Sequence, residues 1–377
     1  MKSVGIYIHF PFCASKCNYC NFNSYSDKND LQKSYLQALL KEISLYKDSK
    51  LIVDSVFIGG GTPSFMFDGC ISTLMSELRK SFAIDSDAEV TIECNPNSVT
   101  LQKAREWKEA GINRVSIGLQ TSNDNLLKLI GRAHTKKDYI NAVGIIRDAG
   151  INNINTDCLI GLPRQKLTDV KHTLSLVTKL NCTHISVYSL IVEKETKISA
   201  MLEKGELKLP KEEKSLSMYE FACKYLKENG YIKYEVSNFA KRGFECIHNL
   251  HTWQMCEYLG FGAGAHGYYN NIRYSNYRDI ESYINTSSNK SFVEQKEKLT
   301  LTQKFEETIM LGLRTKFGID LDEIKKNFKI DLLKTKQNTI NNLMTNGFLS
   351  LVYNKLIPTE LGFTVLNKII LELVSWK

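Results

Sequence analysis

The stretch VGIYIHFPFCASKCNYCNF, residues 4–22, joins a short apolar run to three closely spaced cysteines. The run VGIYIHF is rich in β-branched and aromatic residues, so it predicts a buried strand. Cys13, Cys17 and Cys20 follow with the spacing C-x3-C-x2-C, in the loop that leaves this strand. The first unit of the fold is therefore predicted to be a strand followed by a cysteine-bearing loop.

Five more runs of the same character recur along the chain, separated by longer amphipathic stretches that predict helices. Three of these helices stop just before a glycine, in EAGINRVSIG, DAGINNINTDCLIG and ENGYIKYEVS, where Gly111, Gly150 and Gly230 can take the left-handed conformation. Repeated βα units with short connections predict a parallel sheet, either open and doubly wound or closed into a complete or partial barrel. The five further predicted strands are VDSVFIGG, EVTIECN, RVSIGLQ, NINTDCLI and HISVYSL.

The pattern changes from about residue 295, where the chain becomes mostly helical. The segment GFLSLVYNKLIPTELG, between two predicted helices, predicts a β-hairpin and is typical of a winged helix. Winged helices often bind DNA, but the basic residues are spread along the chain without a block interleaved with aromatics. We therefore expect no nucleic-acid partner.

Composition indicates an ordinary folded protein. The 377 residues are 43% hydrophobic and 24% charged, with a formal net charge of +8 that favours anionic partners. No apolar run reaches the ~18 residues that a membrane span needs, and the start is too interrupted for a secretion signal, so we expect a cytoplasmic protein. Ten cysteines there stay mostly reduced, which makes the tight cluster a sign of metal or redox chemistry.

Three thiolates suit some metal centres better than others. A structural zinc site needs a fourth ligand, and the nearest histidine, His9, lies on the strand itself. An iron-sulfur cubane held by only three cysteines has one iron open to another molecule. The next strand ends in FIGGGTPSFM, where Gly59, Gly60 and Gly61 allow the backbone to approach a ligand and Thr62 offers a hydroxyl.

The cysteine spacing together with this glycine-rich strand end resembles the radical S-adenosylmethionine (SAM) superfamily. The resemblance implies a [4Fe-4S] cluster on the three cysteines, with the fourth iron chelated by the amino and carboxylate groups of SAM. It also implies that Gly60, Gly61 and Thr62 contact the methionyl part of that cofactor. Taken with the six predicted βα units, the resemblance implies an α/β protein with a partial parallel (β/α)6 TIM-type barrel over residues 1–295. A small helical, winged-helix-like domain is predicted over residues 296–377.

Polar side chains lie near the ends of successive predicted strands, where a parallel barrel gathers its site. Arg132 suits a carboxylate because its guanidinium can donate two parallel hydrogen bonds. Resemblance to the porphyrin-related branch of the superfamily implies that six residues surround SAM, four holding its amine, carboxylate and ribose and two lying beside it. The four are Glu93, Gln120, Arg132 and Asp157, and the two are Tyr7 and Ile191.

The resemblance is closer still to the HemW group, which is related to the oxygen-independent coproporphyrinogen III oxidases. It is carried by segments between residue 6 and about residue 268, among them IYIHFPFCASKCNYCNFNSY, SVYSLIVEKET and YLGFGAGAHGY. Two functions follow from it as alternatives. One is a haem chaperone, and the other is the radical oxidative decarboxylation of porphyrinogen propionates to vinyl groups.

Three features favour the chaperone. The decarboxylases have a further cysteine where this chain has Phe22, and they carry an N-terminal extension that is not seen before the first predicted strand. The chaperones carry an HNxxYW signature, which HNLHTW approximates with Thr252 in the tyrosine position. His248 and Trp253 of this segment are candidate contacts for haem, with His251 as a further candidate ligand.

The expected cargo is haem or a porphyrin, passed to acceptor haemoproteins. Reduction of the cluster calls for a low-potential donor such as flavodoxin or ferredoxin, and the positive net charge suits an acidic partner. Other radical reactions on the same scaffold and peripheral membrane contact stay open.

Overall fold

The computed structural model of the chain describes residues 3–286 and 291–375. All six predicted strands are present and pair in parallel in chain order. The predicted α/β fold is therefore confirmed. These strands are β1 (Ser3–Phe10), β2 (Ile52–Gly60), β3 (Ala83–Cys94), β4 (Arg114–Gln120), β5 (Asn153–Ile160) and β6 (His184–Ser189).

Helices connect these strands and cover the sheet. The three glycines predicted to end helices adopt positive φ angles of 92°, 84° and 81°, at Gly111, Gly150 and Gly230 respectively, which confirms that prediction. The helices are α1 (Gln32–Ser44), α2 (Cys70–Ser81), α3 (Leu101–Glu109), α4 (Asp124–Leu129), α5 (Lys136–Asp148), α6 (Leu167–Lys179), α7 (Lys197–Glu203) and α8 (Glu212–Glu228).

The described part of the sheet has 12 strands, so it extends beyond the six predicted ones at both edges. Beside β6 lie two antiparallel strands. On the other side, one strand pairs in parallel with β1 and three more continue the sheet antiparallel to one another. The added strands are β7 (Ile232–Lys233), β8 (Asn238–Ala240), β9 (Tyr258–Phe261), β10 (His266–Tyr269), β11 (Ile272–Asn276) and β12 (Val293–Lys298).

Two short helices accompany the added strands, α9 (Ile247–Trp253) and α10 (Ile280–Asn285). Helix α9 carries the HNLHTW segment and packs against β2. A Cβ atom added to Gly5 on β1 would lie 3.3 Å from Nδ1 of His248 and 3.4 Å from Nδ1 of His251. The absence of a side chain at this position of β1 therefore allows α9 to lie close against the strand.

The C-terminal region has its own hydrophobic core, separate from that of the large sheet. The predicted hairpin is present as β14 (Leu349–Val352) and β15 (Lys355–Pro358), joined by Tyr353 and Asn354 with positive φ. A third strand that was not predicted, β13 (Ile319–Asp320), pairs with β15. The helices here are α11 (Leu301–Gly312), α12 (Leu321–Phe328), α13 (Leu332–Thr335), α14 (Gln337–Thr345), α15 (Glu360–Thr364) and α16 (Leu366–Val374).

The boundary between residues 295 and 296 stays a prediction. Across residues 3–286 and 291–375, no helix combines the length and apolar character needed to cross a membrane.

Candidate functional site

The cysteine loop leaves the carboxyl end of β1 and packs on the end of β2. The backbone N–H of Gly61 donates to the carbonyl of Phe10 at 2.7 Å, and that of Thr62 donates to the carbonyl of Phe12 at 2.8 Å. A Cβ atom on Gly61 would lie only 2.6 Å from the Phe12 carbonyl oxygen. A larger residue at Gly61 would therefore displace the loop that carries the cysteines.

The three cysteines are free thiols, with Cys13 buried and the other two half-buried. The Thr62 hydroxyl donates to Cys13 Sγ at 3.4 Å, and Nη1 of Arg132 donates to Cys17 Sγ at the same distance. Burial raises the pKa values of the Cys13 and Cys20 thiols. Loading a metal centre must therefore release protons from this loop.

Arg132 links the cysteine loop to the next strands. Its Nη2 donates to the carbonyl of Gly118 at 2.9 Å and to Oδ1 of Asn95. Its Nε is buried and has no hydrogen-bond partner in the described structure. A buried cationic group with an unused donor is suited to an anionic ligand.

Glu93 and Asp157 are two half-buried carboxylates, on β3 and β5 of the sheet. Glu93 accepts a hydrogen bond from the Gly60 N–H at 3.1 Å, and burial, followed by repulsion from Asp157, raises the pKa of Glu93 to about 8. Asp157 accepts from Ser116 at 3.2 Å and from Asn155 at 2.9 Å, and burial raises its pKa also. Such carboxyl groups readily accept hydrogen bonds from an amine or a hydroxyl.

The other predicted SAM contacts, Gln120, Tyr7 and Ile191, lie on different strands or loops and differ in exposure. Gln120 ends β4 with a positive φ of 68°. A Cβ atom added to Gly118 would lie 2.9 Å from Nε2 of Gln120 and 2.9 Å from Nη2 of Arg132, so these two side chains meet over the glycine. Tyr7, on β1, makes a 3.0 Å hydrogen bond with Nδ1 of His9. Ile191 follows β6 and is 70% exposed.

Glu89 binds the first residues of helix α9, and the sequence did not predict this role for it. The Glu89 carboxylate accepts from the Cys246 thiol at 3.2 Å and from the backbone N–H groups of Ile247 and His248 at 3.2 and 3.3 Å. Nε of Arg114 lies 3.8 Å from this carboxylate. A buried ion pair thus fixes the start of the helix.

His248, on α9, is buried against the sheet. Its ring stacks on Phe57 with centroids 5.3 Å apart and on Tyr7 at 6.4 Å, and its Nδ1 lies 3.2 Å from the Ser55 hydroxyl. Burial, with a smaller effect of His251, lowers the pKa of His248 to about 3, so the ring is neutral. His251 instead faces Asp54, 3.4 Å from its Nε2, and Trp253 is half-buried.

A cavity of about 590 Å³ lies between the segment that follows the three cysteines and helix α9. Among the predicted residues, Tyr7, Gly60, Glu93 and His248 line it. The other predicted residues do not: Cys13, Cys17, Cys20, Gly61, Thr62, Gln120, Arg132, Asp157, Ile191, His251 and Trp253. Its walls also include five residues that were not among the predicted site residues: His9, Phe22, Tyr258, His266 and Arg278. The cavity extends from the cysteine loop to α9.

Family comparisons agree with the geometry. The family model of the radical SAM superfamily matches residues 7–177, and that of the HemN C-terminal domain matches residues 299–365. A Bacillus subtilis protein named heme chaperone HemW is 39% identical over 323 residues, covering 85% of this chain and 85% of the relative. The HemW of Lactococcus lactis is 33% identical, covering 98% of this chain and 96% of the relative.

The chain belongs to the HemW family. The solved structure of coproporphyrinogen III oxidase (HemN) from Escherichia coli, a radical SAM enzyme, resembles this HemW-family chain with a TM-score of 0.86. It is 21% identical, and the match covers 100% of this chain and 91% of that chain. At this identity the likeness shows the fold alone.

Radical SAM membership of this HemW-family chain implies a [4Fe-4S] cluster and SAM. The donor set fits them. Within the described ranges, no three His, Cys, Asp or Glu side chains converge on one metal ion. A [4Fe-4S] cluster binds each thiolate to a separate iron, so its cysteines do not converge on one ion. The free thiols on one loop, the two donors to their sulfurs and the unused Arg132 Nε suit a cluster with an anionic ligand beside it.

Proposed function

We propose that this HemW-family chain is a haem chaperone, which binds haem and passes it to acceptor haemoproteins. The observation that carries the proposal is that α9, the helix of the HNLHTW segment, forms a wall of the cavity next to the cysteine loop. His248 and Thr252 contribute to that wall. The names of the relatives from Bacillus subtilis and Lactococcus lactis support the same function.

The proposed resident cofactors are a [4Fe-4S] cluster on Cys13, Cys17 and Cys20 and one SAM. Electron transfer is the chemistry that such a cluster supplies when bound. Around SAM, the chain would bind the amine with the carboxyl groups of Glu93 and Asp157, and the carboxylate with Arg132. Gln120 and the backbone of Gly60, Gly61 and Thr62 would complete the contacts, with Tyr7 and Ile191 beside them.

Replacing Arg132 by lysine tests the proposed SAM contacts. Lysine keeps the charge but loses the planar pair of donors, so we expect the affinity for SAM to fall by about 10- to 100-fold, the loss of a charge-assisted hydrogen bond. Equilibrium dialysis with the cluster-loaded protein measures this affinity. Arg105→Lys, at an exposed position on α3, should leave it unchanged, and an equal affinity in Arg132→Lys would contradict the assignment.

The proposed partners beyond haem are a low-potential donor such as flavodoxin or ferredoxin and the acceptor haemoproteins. A net charge of +8 favours association with acidic proteins of this kind. Peripheral contact with an anionic membrane surface fits the same charge.

The chaperone is favoured over the decarboxylase by the residue after the cysteine triad. Phe22, which stands where the decarboxylases have a further cysteine, is 69% exposed and lines the cavity. An apolar ring at this place offers a surface to a macrocycle and no thiol for chemistry.

Haem binding and decarboxylation can be measured on one anaerobically reconstituted sample. We expect stoichiometric haem binding, seen in the absorption spectrum, and no vinyl product from coproporphyrinogen III with SAM and a reductant. His248→Ala removes a ring from the cavity wall, so we expect weaker binding by about tenfold. His172→Ala, on the exposed face of α6, is the matched control. Formation of vinyl product would overturn the proposal in favour of the decarboxylase.

A further inference from the structure

Three histidines line the cavity, and they differ in what their ring nitrogens already contact. Both nitrogens of His9 are engaged, since Nδ1 lies 3.0 Å from the Tyr7 hydroxyl and Nε2 lies 2.8 Å from the carbonyl of Asn23. Burial lowers the pKa of His9 to about 4, and the ring is nearly inaccessible. His9 is therefore a structural residue with no nitrogen left for iron.

His248 has one nitrogen in use and little access. Its Nδ1 faces Ser55, its ring packs against both Phe57 and Tyr7, and the residue is 7% exposed. A macrocycle can approach its Nε2 only from within the cavity. Release of a haem bound there would require α9 to move, against the buried Glu89 that fixes the start of this helix.

His266 differs from both. It is the first residue of β10, it is exposed, and its ring makes no hydrogen bond in the described ranges of the chain. The ring lies close enough to His9 to contribute to the lowered pKa of that residue. His266 thus presents to the cavity an imidazole whose nitrogens hydrogen-bond to no other described residue, and haem iron can bind such a ring.

Two further exposed residues on the same cavity, Arg278 and Phe22, offer contacts for the rest of a haem. Arg278 lines it with a guanidinium that forms no ion pair among the described residues, and a guanidinium can bind a carboxylate through two parallel bonds. His266 pairs with Ser275 on β11, and Arg278 lies three residues beyond Ser275, a span of at most ~10 Å. His266 and Arg278 therefore lie on one side of the cavity that both residues line.

We propose that haem binds at the mouth of this cavity with its iron on His266, a propionate on Arg278 and its ring against Phe22. The inference rests on the proposed haem chaperone function and gives that function its ligand set. An exposed axial ligand suits a carrier, because an acceptor protein can replace it without opening the core. Helix α9 then forms the inner wall and supplies no iron ligand.

The test titrates haem into the full-length, cluster-loaded protein and follows the absorption spectrum. His266→Ala should weaken binding by about tenfold or more and abolish the spectrum of histidine-ligated iron. Added free imidazole should restore that spectrum, which a merely structural role of His266 would not allow. His248→Ala should weaken binding but keep the spectrum, and His172→Ala should match the wild type.

The ligand offers a matched control for Arg278. Arg278→Gln should weaken the binding of haem by about tenfold, the loss of a charge-assisted contact, and should leave the binding of haem dimethyl ester unchanged. Glu294→Gln removes an exposed carboxylate that lines the same cavity, and it should not weaken the binding of either ligand.

The outcomes separate the two proposals. If the wild type binds no haem, the chaperone function fails and this ligand set fails with it. If the wild type binds haem and His266→Ala keeps its affinity and spectrum, only the ligand set is overturned. His266→Met provides a second variant, since a thioether ligand should shift the spectrum without abolishing binding, and an unshifted spectrum would also overturn the assignment.

Discussion

Replacing Cys17 by alanine is expected to remove most of the iron from the anaerobically reconstituted protein. Cys13→Ala and Cys20→Ala should do the same, because each thiolate of the triad is proposed to bind a separate iron and no fourth protein ligand replaces it. Iron should fall from about four atoms per chain to less than about one. Iron and sulfide analysis, with the visible absorption of the cluster, measures the loss.

A matched thiol elsewhere in the chain controls for general effects of losing a cysteine. Cys223 is a free, half-buried thiol on α8, away from the cysteine loop, so Cys223→Ala should keep the full iron content. Full iron and an unchanged spectrum in Cys17→Ala would show that the triad is not the cluster site.

The six central strands could be predicted because they are buried on both faces and read as nearly continuous apolar runs. The six added strands carry no such signal. β7 has two residues, and β12, with the sequence VEQKEK, is almost wholly exposed. β3 shows the same limit within one strand, since it begins at Ala83, six residues before the predicted start, with a polar segment that is mostly exposed.

In the candidate site, too, some residues could be predicted from the sequence and others could not. Glu93, Gln120 and Asp157 could be found because parallel strands bring their carboxyl ends to one edge. Glu89 could not be found, because its role depends on α9 packing against the sheet. That tertiary contact has no pattern in the sequence. His266 and Arg278 could not be assigned either, because His266 begins β10 and Arg278 lies just after β11, two short strands that the sequence does not reveal.

Glu42 on α1 is a second residue whose importance appears only in three dimensions. It is a buried carboxylate that accepts hydrogen bonds from the Tyr283 hydroxyl at 2.6 Å, the Asn276 amide at 2.7 Å and the Gly262 N–H at 2.9 Å. These partners belong to α10, to β11 and to the loop between β9 and β10. Glu42 therefore ties the first helix to the strands that carry His266 and the cavity rim.

Glu42→Ala is expected to lower the free energy of unfolding by about 3 kcal/mol or more, because three buried donors lose their acceptor. Urea unfolding measures this change. Glu281→Ala, which removes a carboxylate from a solvent-exposed ion pair with Lys28, should change it by less than about 1 kcal/mol. Equal effects of the two substitutions would contradict the assigned role of Glu42.

The pH dependence provides an independent check on Glu42. Burial raises the pKa of its carboxyl from 4.5 to about 7, so the folded chain holds this proton more tightly than the unfolded chain does. The stabilisation that comes from this bound proton should therefore be fully present below about pH 4.5 and should be lost as the pH rises to about 7. Glu42→Gln cannot titrate, so the difference in unfolding free energy between it and the wild type should change across that interval. A difference that stays constant from pH 4.5 to 7 would mean that the Glu42 carboxyl does not change its protonation on folding.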